Sequence, residues 1–291
     1  MKLLLCFGLL FFAICGVLFT YSWYHLHQML HMHAVSQQAS FPDGTQPTTA
    51  YVTSRDGLHI AYWYFPVPNP KAVVILVHGY SNPGGKAQML GHALYLRANG
   101  YSTALLDLRS FGESDGGSIS LGVEEWQDVE AVYDQLKEQP ENEGTPIGFL
   151  GVSMGAATSI VTNGKTGKGD FVIASVPYAD IDSLIHFQIQ KKGIRPELFQ
   201  TFVKLAGFAE LGLNYRESLP RSVIADVRVP ILLISAKQDQ EVHPEDARLL
   251  YEQANEPKEY WQADSPHDVH YYQQAQFTAK VLEFLSHSTQ E

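Results

Sequence analysis

Residues 147–163 read IGFLGVSMGAATSIVTN. Ile147 to Val152 is a short apolar run, the pattern of a strand buried on both faces. Met154 to Asn163 is rich in small residues and reads as a helix. Between them lies Gly151-Val152-Ser153-Met154-Gly155, a G-x-S-x-G. Five-residue patterns occur by chance, so the motif alone says little. Its position, after a buried strand and before a helix, says more. Two glycines let the chain turn tightly from strand to helix with Ser153 at the apex. The helix N-terminus behind Ser153 offers backbone N–H groups and a partial positive charge to a developing oxyanion. The competing reading is a helix-capping serine with packing glycines.

Outward from this stretch, strand and helix signals alternate. Upstream, Tyr51–Thr53 and Leu58–Phe65 flank Ser54-Arg55-Asp56-Gly57, a hairpin with Asp-Gly in its turn. Strands are expected at 72–77 and 103–108, and helices at 86–99, ended by Gly100, and at 124–138. Downstream, strands are expected at 171–176, 231–235 and 258–262, and helices at 244–254 and 271–285. Such β-α repetition implies an α/β fold with a mostly parallel sheet and helices on both faces. The alternation lapses over residues 181–228, which reads as an inserted helical lid. The α/β domain is expected over residues 51–291.

A serine nucleophile needs a base, and the base an orienting acid. In open α/β sheets ligands bind beyond the carboxyl ends of the strands. Asp239 follows the strand at 231–235, with Glu241 as a rival two residues on. His267 lies on the loop after 258–262, with His270 as a rival nearer the helix. The order Ser153, Asp239, His267 is the one this architecture requires. His78-Gly79 follows the strand at 72–77. That loop is expected to supply the second oxyanion donor, the backbone N–H of Tyr80, beside that of Met154. His78 is expected to brace the loop, with a catalytic base as the alternative. Ser81-Asn82-Pro83-Gly84-Gly85 lacks the G-x-x-x-x-G-K-[ST] pattern, so nucleotide binding is rejected.

The N-terminus is of another kind. Leu3 to Phe19 is seventeen residues without a polar side chain, and Thr20 to Tyr24 extends the stretch. That length suits a transmembrane helix, residues 1–24, with Trp23 and Tyr24 as an aromatic belt. Lys2 and the terminal amine put the N-terminus in the cytoplasm and the rest outside, single-pass. The rival is a signal peptide cut near Thr20-Tyr21-Ser22, releasing a secreted protein. His25, His27, His31 and His33 follow. His27 and His31 share a helix face, as metal ligands do, but the expected reading is a juxtamembrane helix with histidines among headgroups and no metal. Residues 25–50 read as this segment and a polar linker.

The chain has 291 residues and a formal net charge of −11, which argues against a nucleic-acid partner. Apolar residues make up 45 % and charged residues 18 %, a globular balance. The two cysteines, Cys6 and Cys15, both precede the folded part, so it has no disulfide framework and no thiolate metal site.

Taken together, the sequence resembles the α/β-hydrolase superfamily, in the branch of esterases, lysophospholipases and serine aminopeptidase-like enzymes. The residues that carry the resemblance are His78-Gly79, Asp107 to Gly116, Gly151 to Gly155, Pro230 to Asp239, His267 and Val281 to Leu285. It covers about residues 51–286. The family's usual D-x-R-G-H-G-x-S departs here, with Ser110 and Phe111 at the small and His positions. The resemblance implies no metal or organic cofactor, and a serine hydrolase acting on esters rather than amides. The lid residues Ile185, Phe187, Ile189, Leu198, Phe199, Phe202, Val203, Leu205 and Phe208 offer apolar surface that would line an acyl pocket, face the bilayer or pack on the core. A small-molecule or lipid-like acyl substrate is expected. Two alternatives stand beside this: a serine peptidase whose Glu197, Glu210 or Glu217 binds a substrate amine, and a non-catalytic binding module.

Overall fold

The structure, a computed structural model, describes residues 2–289 other than 33, 36, 42–45, 82, 194, 196, 198, 213 and 214, with residues 2–5 as backbone alone. His33, Asn82 and Leu198 therefore lie outside the described residues.

Eight strands form one sheet: β1 (Thr48–Thr53), β2 (His59–Phe65), β3 (Val73–Val77), β4 (Ser102–Leu106), β5 (Ile147–Val152), β6 (Val172–Ser175), β7 (Ile231–Ala236) and β8 (Lys258–Ala263). Their order is β1-β2-β4-β3-β5-β6-β7-β8. The hairpin pairs β1 with β2, β2 runs antiparallel to β4, and all further pairings are parallel. Burial explains the composition of the strands. Every residue of β3, β4, β5, β6 and β7 is buried, as their apolar runs require, whereas the edge strand β1 is largely exposed and polar.

The helices are α1 (Lys2–Leu30), α2 (Leu90–Ala98), α3 (Trp126–Lys137), α4 (Met154–Thr166), α5 (Ile181–Lys191), α6 (Gln200–Leu211), α7 (Pro220–Val223), α8 (Glu245–Gln253), α9 (Val269–Tyr272) and α10 (Gln274–Ser288). The pleat divides the core in two. Val73, Ile75 and Val77 face one side, with Val129, Val132 and Leu136 of α3, Ile160 of α4 and Leu250 of α8. Val74 and Leu76 face the other, with Ala93 and Leu96 of α2 and Phe277, Val281 and Phe284 of α10. This is the alternation expected of a sheet covered on both faces.

Three local readings change. The helix expected over 86–99 opens with a 3₁₀ turn, Lys86–Met89, before α2. The last helix is broken at Gln273, where φ is −127° and ψ 44°. The segment after the apolar helix is not a free tether. Val35 and Gln37 exchange backbone hydrogen bonds with Gly84, and Ala34 forms a β-bridge with Phe111.

The apolar helix is the larger surprise. Cys6–Leu30 is 25 residues long, with a mean hydropathy of 1.9, enough to cross a membrane by length and composition, as a signal sequence also is. Its first half stands clear of the protein, with Phe12 74 % and Val17 68 % exposed. Its last turns do the opposite. Leu26 and Leu30 are buried in the main core, and the Leu30 carbonyl accepts the Ile119 N–H at 2.6 Å. The helix also packs along α6 of the inserted region.

Candidate active site

Ser153 occupies the turn from β5 to α4 with φ 54° and ψ −116°. Positive φ strains a residue with a Cβ, and such strain persists only where the surroundings impose it. Here the glycines do so. A Cβ at Gly155 would collide with the Val77 and His78 carbonyls, and one at Gly151 with the Gly155 backbone. The two strand ends thus close on the turn, and the Ser153 N–H donates to the Ser175 carbonyl at 2.8 Å. The side chain is left half-buried. Its hydroxyl has no hydrogen-bond partner among the described residues.

The structure brings Asp239 and His267 together. The loops after β7 and β8 continue the strand pairing through Lys237 N–H to Ala263 O at 2.9 Å and Gln238 N–H to Ser265 O at 3.0 Å. Asp239 Oδ1 accepts the backbone N–H groups of Glu241 and Val242, at 2.7 and 2.9 Å. Its Oδ2 is then aimed at His267 Nδ1, 2.7 Å away. Both residues are buried. Burial pushes the imidazole pKa down, but the hydrogen bond and charge of Asp239, with the charges of Glu241 and Asp268, outweigh it and hold His267 above its ordinary value. The rivals fall elsewhere. Glu241 does not meet Nδ1; its carboxylate lies 3.9 Å from Nε2, on an exposed side chain. His270 packs against His92 and Phe277, and burial lowers its pKa.

His78 is fully buried. Its Nδ1 bonds to the Gly79 carbonyl at 2.7 Å and its Nε2 accepts the Leu108 N–H at 3.1 Å. With Nε2 accepting, Nδ1 carries the proton, and burial pushes the pKa down, so the ring is a neutral brace. Tyr80 follows on this loop. The backbone N–H groups of Tyr80 and Met154 donate to no protein acceptor among the described residues, and Met154 opens α4.

The stretch Asp107 to Gly116 is structural. Asp107 accepts the Lys86 N–H at 2.7 Å and the Glu113 N–H at 2.9 Å, and pairs with the buried Lys86 ammonium. Arg109, 3 % exposed, is held by Asp128 at 2.7 Å and Asp56 at 2.8 Å. The two departures from the usual motif have a reason. Phe111 packs edge-on against His78, ring centroids 4.6 Å apart, and Ser110 gives its carbonyl to Ala34. The loop is shaped to receive the chain that follows α1.

Three neighbours escaped the sequence reading. The Tyr80 hydroxyl donates to the Met29 carbonyl at 3.1 Å, so α1 touches the loop after β3. Gln188 of α5 donates to the Glu241 carbonyl at 2.6 Å, two residues from Asp239. Between α1, α5 and α6 lies a cavity of about 280 Å³, walled chiefly by Leu26, Met29, Leu184, Ile185, Ile189 and Val203. The spacing Leu26, Met29, Leu30 was the available signal, hidden in an already apolar stretch. Of the apolar lid residues, Ile185, Ile189, Phe199 and Val203 therefore face α1, whereas Leu205 is exposed. The three lid carboxylates offer little to an amine: Glu197 and Glu217 are exposed, and Glu210 is bonded to His27 and His31.

Comparison with known proteins agrees with this architecture. A family model described as serine aminopeptidase, S33, matches residues 68–207. The protein YqkD of Bacillus subtilis (strain 168) is 29 % identical over 246 residues, covering 81 % of this chain and 77 % of its own. The esterase Pf2001 of Pyrococcus furiosus superposes with a TM-score of 0.69 at 25 % identity, over 88 % of this chain and 98 % of that one. An esterase of Exiguobacterium antarcticum gives 0.62 at 17 % identity, over 82 % and 100 %. Strand order, the turn at Ser153 and these likenesses together make the chain a member of the α/β-hydrolase superfamily.

Proposed function

We propose that the chain is a membrane-anchored serine hydrolase that cleaves hydrophobic carboxylic esters. The observation that carries the reading is the 2.7 Å Asp239–His267 pair, on loops that leave the same edge of the sheet as the turn of the strained Ser153. In this reading Ser153 Oγ attacks the acyl carbonyl while His267 Nε2 takes its proton. Asp239 holds Nδ1–H and stabilises the imidazolium. The oxyanion is received by the N–H groups of Tyr80 and Met154, each such donor being worth ~3–4 kcal/mol. His267 then protonates the leaving alcohol, the acyl-enzyme forms on Ser153, and water reverses the sequence.

The apolar cavity between α1 and the lid supports a hydrophobic acyl group, and it borders the site through Met29 and Gln188. The exposed apolar half of α1 supports an anchor. So does the burial of Ser22, which with Tyr21 lines the cavity and lies at the alternative cleavage site. With Lys2 at its start, the anchor would hold the hydrolase domain outside the cytoplasm.

The test is fluorophosphonate labelling of detergent-extracted protein, followed by turnover of p-nitrophenyl esters of rising chain length. Labelling is expected in the wild type and absent in Ser153→Ala, with a fall in kcat of at least ~10⁴-fold. An unlabelled, folded wild type would overturn the reading. The family model's description favours a second reading, a peptidase, and hydrolysis of aminoacyl amides in preference to esters would establish it.

A further inference from the structure

His27 lies in the last turn of α1 and His31 just past its end, where its N–H still donates to the His27 carbonyl at 2.9 Å, and Glu210 faces them from the end of α6. His27 Nδ1 is 3.1 Å from Glu210 Oε1, and His31 Nε2 is 3.1 Å from Glu210 Oε2. The two imidazoles lie 4.0 Å apart between centroids, and the three residues' ligand atoms all fall within 4.8 Å of one another. The Glu210 side chain is only 10 % exposed, so water does little to satisfy its charge. Trp23 stacks on His27 at 5.0 Å and fixes that ring. Histidines at i and i+4 share a helix face, the spacing that presents two nitrogens to one ion. Two imidazoles and one carboxylate are a donor set that suits zinc and its neighbours and suits magnesium or calcium poorly.

We propose that His27, His31 and Glu210 bind a zinc-class divalent cation that staples lid helix α6 to the end of α1. The histidines alone could be read as headgroup residues; Glu210, 179 residues away from His31 in sequence, is what turns them into a ligand set. Modest side-chain rotation brings the three donors to ~2.0–2.2 Å from one ion, with the fourth tetrahedral position left to water. The ion takes the place of the protons that now join the histidines to the carboxylate. Because α6 carries Val203 and α1 carries Leu26 and Met29, the staple sets the width of the cavity between them.

The experiment uses the full chain in detergent, stripped with a chelator, dialysed against Zn²⁺ and assayed for metal content and Tm. One zinc per chain is expected, with Tm raised by about 5 °C at a hundredfold excess over Kd, and no response to Mg²⁺. Glu210→Gln, His27→Gln and His31→Gln should each lose both effects, while His25→Gln, whose ring packs against Tyr21 and Tyr24, should keep them. Circular dichroism selects the variants that remain folded, and one folded variant of the three suffices. Absence of retained zinc in the wild type, or equal retention in a folded ligand variant, would overturn the proposal.

Discussion

A serine held at φ 54° is a poor choice for stability, and Ser153 is held there by glycines that admit no alternative. Relieving the strain should therefore stabilise the protein while destroying its proposed chemistry. Ser153→Gly is expected to raise Tm by roughly 2–4 °C and to abolish fluorophosphonate labelling, with scanning calorimetry and gel fluorescence as readouts. His267 carries a second prediction. Its pKa is raised, burial working against Asp239, Glu241 and Asp268. A base must be neutral to accept the serine proton, so activity is lost as pH falls through this raised value. Glu241→Gln removes one negative charge 3.9 Å from Nε2 and should lower the pKa. The acidic limb of kcat/KM then moves to lower pH, by a few tenths of a unit because Glu241 is exposed and screened. An unmoved limb would remove Glu241 from the electrostatics of the base.

At the scale of elements, α5 and α6 place Ile185, Ile189 and Val203 against the last turns of α1, not against the sheet. Val203→Trp should fill that space. Turnover of a long-chain p-nitrophenyl ester is expected to fall roughly tenfold, the worth of about two buried methylenes, with the acetate unaffected. Loss on both esters alike would mean that the cavity does not take the acyl chain. The elements themselves were largely legible. Continuous apolar runs marked the buried strands, and glycines marked the turn at Ser153. What escaped was carried by the backbone or by long-range pairing. The hydrogen bonds of Val35 and Gln37 to Gly84 leave no side-chain signature. The partnership of Glu210 with His27 and His31 joins residues that no local pattern connects. The pairing of Asp239 with His267 was expected from fold logic alone, because the loops after β7 and β8 leave the same edge of the sheet.

For the molecule as a whole, α1 has two unlike halves. Leu30 is a core residue at 1 % exposure, whereas Phe12 is 74 % exposed. Leu30→Ala should cost about 2–5 kcal/mol, read as a Tm loss in detergent, and Phe12→Ala should leave Tm unchanged. Equal effects would mean that the helix end does not belong to the core.

The continuity of α1 from its exposed turns into the core has a further consequence. A helix without a hinge transmits orientation as well as attachment. Under the proposed anchoring, an enzyme carried on such a post would not swivel or bob on a tether. Its mouth would stand at one height and one tilt above the leaflet. It would meet substrate molecules as a grazing animal meets grass, by lateral travel at fixed reach. The quantity that governs its rate is then the number of substrate molecules per unit area of membrane, and dilution of the surrounding medium leaves that number untouched.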